Sequence, residues 1–309
     1  KAESIIKEVK IKASFLLNSG YSEKNIYIAH SSSINFFTDL LATWKVKSTA
    51  ICIESSVGKT ELKHMTDIAK ADLFLIDHKK SNENFFKTSK CLDLSNDIDI
   101  KKLEYRSNFK SFDLLDPILI LFTSGSTGLP KGVVHTRKSL ENKWSNLRKN
   151  IDSSDYKETL CPLSTSFGHG LICNSLFPLL NSGNLHILEK RDLKNILKVP
   201  NYLKENNITF ISSVPSLWNI LLTASKSINS NSIKRVHVGS APLTIRLALN
   251  IQQWFGNNPL IINTYGITET GSWIAGGEIL NNNLHIRDGY IGNVWDGEFK
   301  IIKNYEKEL

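Results

Sequence analysis

The stretch Ile118 to Thr136 reads ILILFTSGSTGLPKGVVHT and divides into a strand, a loop and a second strand. Its first part is a continuous apolar run without polar alternation, a pattern typical of a strand buried on both faces. The run ends at Thr123, where hydroxyl residues and glycines begin. Leu129 to Gly132 then leads into Val133 to Thr136, a short run that predicts a second strand.

The loop between these strands has the composition of a phosphate-binding loop. Glycines let the backbone approach a ligand and leave amide N–H groups free to point at an anion. Serine and threonine hydroxyls add donors, and Lys131 supplies a compact positive charge. The alternative is a serine- and glycine-rich surface turn, which would not need four hydroxyls, three glycines and a lysine. The predicted phosphate ligands are Thr123, Ser124, Gly125, Ser126, Thr127, Gly128 and Lys131.

The loop is not a Walker A loop, because no Gly-Lys-Ser/Thr closes the glycine run and a strand rather than a helix follows. Thr123 to Gly132 instead resembles, position by position, the signature loop TSGSTGLPKG of the AMP-forming acyl- and aminoacyl-adenylating enzymes. This family includes acyl-CoA synthetases, peptide-synthetase adenylation domains and luciferases. The resemblance implies an enzyme that uses ATP and Mg²⁺ to activate a carboxylic acid. Coenzyme A or carrier-protein phosphopantetheine is the implied thiol acceptor.

Composition limits the other classes of function. The formal net charge is +8, but Lys and Arg are scattered without aromatic interleaving, so we expect no nucleic-acid partner. No apolar run is long enough to predict a membrane span, and no secretory signal is recognisable, so a cytoplasmic location is the default expectation. The four cysteines show no C-x-x-C spacing and are expected to be buried thiols.

Predicted helices and strands alternate from Ser4 to Asp77 and again from Ser139 to Asn263, which favours parallel sheets covered by helices. The predicted fold class is α/β, with two lobes of mainly parallel sheet flanked by helices and the start of a small β-rich subdomain. We assign residues 1–115 to the first lobe, which begins incomplete, 116–275 to the second lobe with the ATP motifs, and 276–309 to the β-rich subdomain. Finer predictions are single helices over Leu171 to Leu180 and Leu193 to Glu205, and a strand over Ile291 to Ile301.

Small residues follow the predicted strand Arg235 to Val238. Such residues at the carboxyl end of a strand open a crevice in which a flat ring can lie. The crevice residues are predicted to be Gly239, Ser240, Ala241 and Pro242, followed by Leu243. In the family that the chain resembles, this stretch borders adenine.

The last predicted strand of the second lobe is Leu260 to Asn263. It is followed by a polar stretch, Thr264 to Gly271, that we interpret as one tight turn. An aromatic ring, a hydroxyl and a carboxylate on one turn suit a base, a phosphate and a hard cation. A polar loop with a half-buried tyrosine is the alternative. The stretch resembles the family's Y-G-x-T-E motif, which implies that Tyr265 stacks on adenine, Thr268 meets the α-phosphate and Glu269 holds Mg²⁺. Asn263, Thr264 and Gly266 are also predicted to contact the nucleotide, and Lys131, Thr268 and Glu269 are the predicted catalytic residues.

His169 lies between two glycines and precedes an apolar run, which suggests a turn that projects an imidazole into a cleft. On sequence alone, a surface or core histidine is equally well supported. The resemblance puts this segment at the acyl pocket, with Gly266 and Gly271 as further predicted pocket residues. The family often has an aromatic residue or histidine where this sequence has Thr165.

Two hypotheses about function remain open at this point. The first is an AMP-forming carboxylate–thiol ligase, with a small carboxylate, a possible acyl carrier protein and a C-terminal domain as partners. The second is a non-catalytic nucleotide- or adenylate-binding module. The resemblance implies further segments beyond this core, including a C-terminal lid domain with a transition-state lysine, so we expect turnover by these 309 residues alone to be impaired.

Overall fold

A computed structural model describes residues 2–30, 32–77, 90–99, 102–124, 128–256, 259–280, 286–295 and 297–300. Within this part of the chain, the strands form one sheet of six strands and one of seven. The predicted α/β class with two mainly parallel sheets is confirmed. No helix in the described ranges is long and apolar enough to cross a membrane.

The first sheet has the order β4-β3-β1-β2-β5-β6, in which all pairs are parallel except β5 with β6. Its helices are α1 (Ala2–Asn18), α2 (Ile34–Lys45) and α3 (Lys59–Ile68). Its strands are β1 (Asn25–Ile28), β2 (Thr49–Cys52), β3 (Leu73–Leu75), β4 (Cys91–Leu92), β5 (Pro117–Ser124) and β6 (Pro130–Thr136). The predicted boundary between the two lobes, at residue 116, comes before β5 and β6, and both of these strands belong to the first sheet.

The second sheet has the order β13-β12-β11-β10-β9-β7-β8, with β12 and β13 antiparallel to their neighbours. Its strands are β7 (Glu158–Cys161), β8 (Asn184–Ile187), β9 (Phe210–Ser213), β10 (Arg235–Gly239), β11 (Leu260–Ile267), β12 (Ser272–Glu278) and β13 (Asn293–Val294). Its helices are α4 (Arg137–Asn150), a π-helix (His169–Leu176), α5 (Phe177–Leu180), α6 (Leu193–Ile196), α7 (Val199–Glu205), α8 (Pro215–Ala224) and α9 (Ile245–Phe255).

Helix α4 and the π-helix lie in the layer between the two sheets. Leu140, Trp144 and Leu147 of α4 belong to a buried cluster that also includes Leu119 of the first sheet and Phe210 of the second. The indole Nε1 of Trp144 donates to the carbonyl oxygen of Ile172 at 3.1 Å, which satisfies a polar group inside this layer. The two sheets are therefore joined by a shared apolar core.

Helix boundaries follow local capping chemistry. The side chain of Ser33 accepts from the Phe36 amide at the start of α2, and Thr136 caps α4 through the Ser139 amide. Gly256, with φ +76°, ends α9 in the left-handed conformation that glycine adopts without steric cost.

Three element predictions need correction. The single helix predicted over Leu193 to Glu205 is two helices, because Pro200 has no amide hydrogen and favours the first turn of a new helix. The helix predicted over Leu171 to Leu180 begins as a π-helix, in which the Phe177 amide donates to the Ile172 carbonyl oxygen five residues earlier. In the stretch Ile291 to Ile301, only Asn293–Val294 is a strand within the described residues.

Candidate functional site

Strands β5 and β6 carry the predicted phosphate loop at their shared end. Thr123 lies opposite Lys131 in the antiparallel register, so Lys131 belongs to the strand rather than to the loop. Its side chain is exposed, and the neighbouring Pro130 is buried. Gly128 has φ +85°, a conformation that residues with a side chain rarely adopt. The predicted ligands Gly125, Ser126 and Thr127 lie outside the described residues, and Ser124 is described by its backbone pairing with Pro130.

Helix α3 contacts this strand pair. The Nε2 atom of His64 in α3 donates to the Pro130 carbonyl oxygen at 3.0 Å. A Cβ atom at Gly132 would lie 3.3 Å from the Phe122 ring, so the two strands pack closely beside the loop. Strands β5 and β6 are therefore packed in place on either side of the loop, and the Lys131 side chain on β6 is exposed to solvent.

The predicted nucleotide turn differs from the expectation in one respect. Residues Thr264 to Ile267 continue β11 and pair with β12, and only Thr268–Thr270 forms a short 3₁₀-helix. The strand continues because β12 returns antiparallel beside it, with a bulge between Tyr265 and Gly266. Tyr265 is 42% exposed at this edge, Thr268 is half-buried and Glu269 is exposed. The phenol ring, the hydroxyl and the carboxylate are thus presented in sequence along one edge.

Two glycines make this geometry possible. A Cβ atom at Gly266 would lie 1.9 Å from the Ser272 carbonyl oxygen, which no side chain could tolerate. Gly271 ends the 3₁₀-helix with φ +70°. Thr270 closes the turn through a hydrogen bond from its hydroxyl to the Ile267 carbonyl oxygen at 3.0 Å. The glycines predicted as pocket residues therefore also have a backbone role.

The fold brings the phosphate strand and the nucleotide turn together, although they are far apart in the sequence. Strand β6 lies beside the 3₁₀-helix Thr268–Thr270, with Cα atoms of the two elements within 8 Å of each other. Burial, together with the nearby Lys143 ammonium, lowers the pKa of His135 in β6 to about 4, and the Glu269 carboxylate opposes both effects. Glu269 is therefore close enough to the phosphate strand to act on a side chain inside it.

Lys143 in α4 joins the same region. Its Nζ atom donates to the Trp273 carbonyl oxygen at 2.6 Å, and its Cε atom would lie 3.3 Å from a Cβ at Gly271. This contact ties the helix that follows β6 to the strand that follows Glu269. Sequence reasoning missed both Lys143 and His135. Lys143 comes three residues after Leu140 and four residues before Leu147. This spacing predicts that it lies on the buried face of α4.

The predicted crevice lies at the carboxyl end of β10, where Gly239 pairs with Thr264 of β11. Gly239 is buried, and a Cβ there would lie 2.4 Å from the Thr264 hydroxyl oxygen. Ser240 has φ +63° and is exposed, as are Ala241 and Pro242. Small residues therefore face solvent at this edge, with the backbone accessible.

Asn263 and Thr264 have structural partners beneath the crevice. Both are buried, at 3% and 4% exposure. The Asn263 side-chain amide donates to the Tyr290 carbonyl oxygen at 2.7 Å, and the Thr264 hydroxyl donates to the Val238 carbonyl oxygen at 3.4 Å. Their side chains are therefore held by hydrogen bonds inside the protein. The next residue, Tyr265, is exposed.

A match to a family model covers residues 7–309 and carries the description "AMP-binding enzyme". The chain belongs to the AMP-binding enzyme family. Tyrocidine synthase 3 of Brevibacillus parabrevis is 26% identical over 250 residues, which is 79% of this chain and 4% of that protein. Surfactin synthase subunit 2 of Bacillus subtilis (strain 168) is 32% identical over 154 residues, which is 48% of this chain and 4% of that protein.

The fold of this member of the AMP-binding enzyme family is also that of a solved structure. The o-succinylbenzoate coenzyme A synthetase of Bacillus subtilis, in complex with ATP and magnesium, superposes with a TM-score of 0.82 at 16% identity. The match covers 98% of this chain and 63% of that one. At this identity the likeness establishes the fold. The chain spans a small part of the curated relatives named above and under two thirds of this structure.

Of the placements that the sequence supports for His169, the structure shows the buried one. Its ring is 4% exposed and does not project into an open cleft. The Nε2 atom lies 2.7 Å from the Ser212 hydroxyl, and Nδ1 lies 2.9 Å from the Ser240 hydroxyl. Burial lowers its pKa to about 3, so the ring is neutral at physiological pH.

No group of three or more His, Cys, Asp or Glu side chains that could hold a metal ion occurs within the described ranges. A cation at the predicted position would therefore depend on the exposed Glu269 carboxylate together with oxygens of a ligand. This donor set is suited to Mg²⁺, which usually binds to one or two carboxylates and to substrate phosphates.

Proposed function

We propose that this chain activates a carboxylic acid with ATP. A carboxylate oxygen of the acid bonds to the α-phosphorus of ATP, and the bond from that phosphorus to the bridging oxygen breaks. Pyrophosphate leaves with the electron pair, and the product is an acyl-adenylate. The observation that carries the proposal is that β6, the strand that includes Lys131, lies beside the 3₁₀-helix that includes Thr268 and Glu269.

Each exposed side chain at this edge has a proposed role. The Lys131 ammonium group and the loop from Thr123 to Gly128 bind the β- and γ-phosphates, and the Thr268 hydroxyl orients the α-phosphate. Tyr265 stacks on the adenine, which lies over the crevice Gly239 to Pro242. Because phosphoryl transfer depends mainly on positioning and charge neutralisation, these groups are the ones expected to accelerate it.

Glu269 is the proposed ligand of Mg²⁺. Its carboxylate is exposed beside the phosphate strand and would hold a hard cation there. When bound, Mg²⁺ would neutralise charge on the phosphates. The o-succinylbenzoate coenzyme A synthetase that shares this fold is itself in complex with ATP and magnesium, which supports the same ligands here.

The proposed second step is transfer of the acyl group to a thiol. The thiol sulfur bonds to the acyl carbon, the bond from that carbon to the AMP oxygen breaks, and AMP leaves as the thiol proton is lost. Coenzyme A and carrier-bound phosphopantetheine are the two candidate acceptors, because a solved structure with this fold is a coenzyme A synthetase and one relative is a dimodular nonribosomal peptide synthase of Bacillus subtilis (strain 168). Assays with each acceptor distinguish them.

We also propose that residues 1–309 by themselves form the adenylate slowly. Lys131, Tyr265 and Glu269 are all exposed, so water screens their charges and reaches any intermediate. A C-terminal domain with a lysine, as the family resemblance implies, would cover this edge. Deleting one such preorganised group typically lowers the rate by about a hundred- to a thousandfold.

Carboxylate-dependent exchange of labelled pyrophosphate into ATP tests the proposed activity. We expect exchange with one class of acid from a panel of amino, fatty and aryl carboxylic acids, and none without acid. A chain that binds ATP but supports no exchange with any acid, even when a C-terminal domain is added, would instead be a non-catalytic nucleotide-binding module.

A further inference from the structure

His169 bridges the carboxyl ends of two neighbouring strands in the second sheet. Its Nε2 atom lies 2.7 Å from the hydroxyl of Ser212 in β9, and its Nδ1 atom lies 2.9 Å from the hydroxyl of Ser240, which directly follows β10. The ring packs edge-on against Phe167 and Trp273, with centroid distances of 6.3 and 5.3 Å. The imidazole is therefore fixed by aromatic packing and by hydrogen bonds at both nitrogens.

Ser240 has an uncommon backbone conformation. Its φ of +63° lies in the left-handed region, which glycine occupies freely and other residues avoid. A non-glycine residue populates this conformation about five- to thirtyfold less than the right-handed one. Ser240 is also exposed, and its hydroxyl forms a hydrogen bond with the buried His169 ring.

The His169 ring can keep both bonds over the physiological pH range. A neutral imidazole has one donor and one acceptor, and a serine hydroxyl can act as either. Both tautomers of the ring are therefore compatible with bonds to Ser212 and Ser240. Burial keeps the pKa of His169 at about 3, so protonation does not break this arrangement at neutral pH.

The crevice shape depends on the conformation of Ser240. Gly239 before it is buried and packs against Thr264, and Ser240 is the first exposed residue after it. Ala241 and Pro242 after it are exposed and form the proposed edge for the nucleotide base. A change of φ at Ser240 would redirect both of them.

We propose that His169 is a positioning residue of the nucleotide crevice, which holds Ser240 in its left-handed conformation and keeps the exposed residues 240–242 placed for a base. This inference rests on the proposed function and assigns His169 a role different from that of an acyl-pocket residue. It predicts that His169 acts on nucleotide affinity through Ser240, without touching the nucleotide.

A double-mutant cycle tests the proposal, with AMP affinity measured by calorimetry. His169→Leu removes both hydrogen bonds and is expected to weaken AMP binding about five- to thirtyfold when residue 240 is serine. In the Ser240→Gly background the same substitution is expected to change affinity less than about twofold, because glycine holds the left-handed conformation without help. An equal loss in both backgrounds would overturn the proposal.

Two further variants control for general effects. His169→Gln keeps a polar partner for Ser240, and we expect it to recover part of the affinity that His169→Leu loses. Ser182→Gly replaces another left-handed serine, with φ +66°, just before β8 at the opposite end of the sheet, and should leave AMP affinity unchanged. A wild-type chain that binds no AMP would contradict the proposed function, whereas AMP binding without coupling between His169 and Ser240 would contradict this inference alone.

Discussion

Lys131 is exposed on β6 opposite Thr123, so its ammonium group has no role in the core. We predict that Lys131→Ala weakens ATP binding by about ten- to a hundredfold, the equivalent of one charge-assisted hydrogen bond. AMP, which lacks the β- and γ-phosphates, should bind nearly as before. Calorimetric titration with both nucleotides, alongside thermal melting, measures this difference.

Lys138→Ala is the matched control, because Lys138 is a lysine at the start of the neighbouring helix α4 and lies outside the proposed site. It should leave both affinities unchanged. If Lys131→Ala melts normally and binds ATP as tightly as the wild type, the phosphate-binding role of this strand pair is wrong.

Glu269 is the exposed carboxylate of the 3₁₀-helix. Glu269→Gln keeps the shape of the side chain but removes its charge, so we predict that ATP affinity no longer increases when Mg²⁺ is added. Titrations at several Mg²⁺ concentrations measure this dependence, with Glu278→Gln on β12 as the control. Mg²⁺ dependence that persists in Glu269→Gln would move the metal site to another residue.

The hairpin of β11 and β12 carries the nucleotide turn, and its bulge requires a glycine. Gly266→Ala would put a Cβ atom 1.9 Å from the Ser272 carbonyl oxygen. We predict a loss of about 3 kcal/mol in the free energy of unfolding, together with weaker nucleotide binding. Urea unfolding measures the first quantity.

Gly20→Ala is the control for this prediction. Gly20 has φ +80°, but a Cβ added there would meet no atom within 4 Å. Only backbone strain of about 1 kcal/mol is therefore expected. Equal effects of Gly20→Ala and Gly266→Ala would show that close packing at the bulge contributes nothing.

Sequence patterns predicted most of the helices and strands, because apolar periodicity reports burial within a local segment. The residues of the candidate site were predicted from motifs and from the family resemblance. They predicted Thr264 to Gly271 as a turn, since no local pattern reveals that β12 returns beside it and extends β11. They also missed Lys143, whose partner Trp273 is distant in the sequence. For His169 the sequence could not decide between a cleft and a surface or core position, because its burial depends on residues of β9 and of the crevice.

Buried histidines make the stability of the whole chain depend on pH. Burial lowers the pKa of His169 to about 3 and that of His135 to about 4, and it also lowers the pKa of His237. The unfolded chain takes up these protons near about pH 6.5, so the folded state loses stability as pH falls from there towards about pH 4. At about pH 5 the loss from His169 is roughly 2 kcal/mol.

We therefore predict that urea midpoints fall steeply between about pH 7 and about pH 5. His237→Phe, which keeps an aromatic ring against Phe210 and Trp273, should make this fall shallower. His186→Gln, at the edge strand β8, provides a comparison for a histidine with surface partners. Midpoints that do not change over this pH range would contradict the neutral, buried state of these rings.

We propose that the phosphate strand pair and the Thr268–Glu269 turn form one site for ATP-dependent activation of a carboxylate. Single-turnover formation of acyl-adenylate, with a panel of acids and with and without an added C-terminal domain, tests it most directly. We predict slow formation by residues 1–309 with one class of acid, acceleration of about a hundredfold or more by the added domain, and loss of product in Lys131→Ala and Glu269→Gln. Tight Mg²⁺-dependent ATP binding with no adenylate from any acid under either condition would contradict the claim.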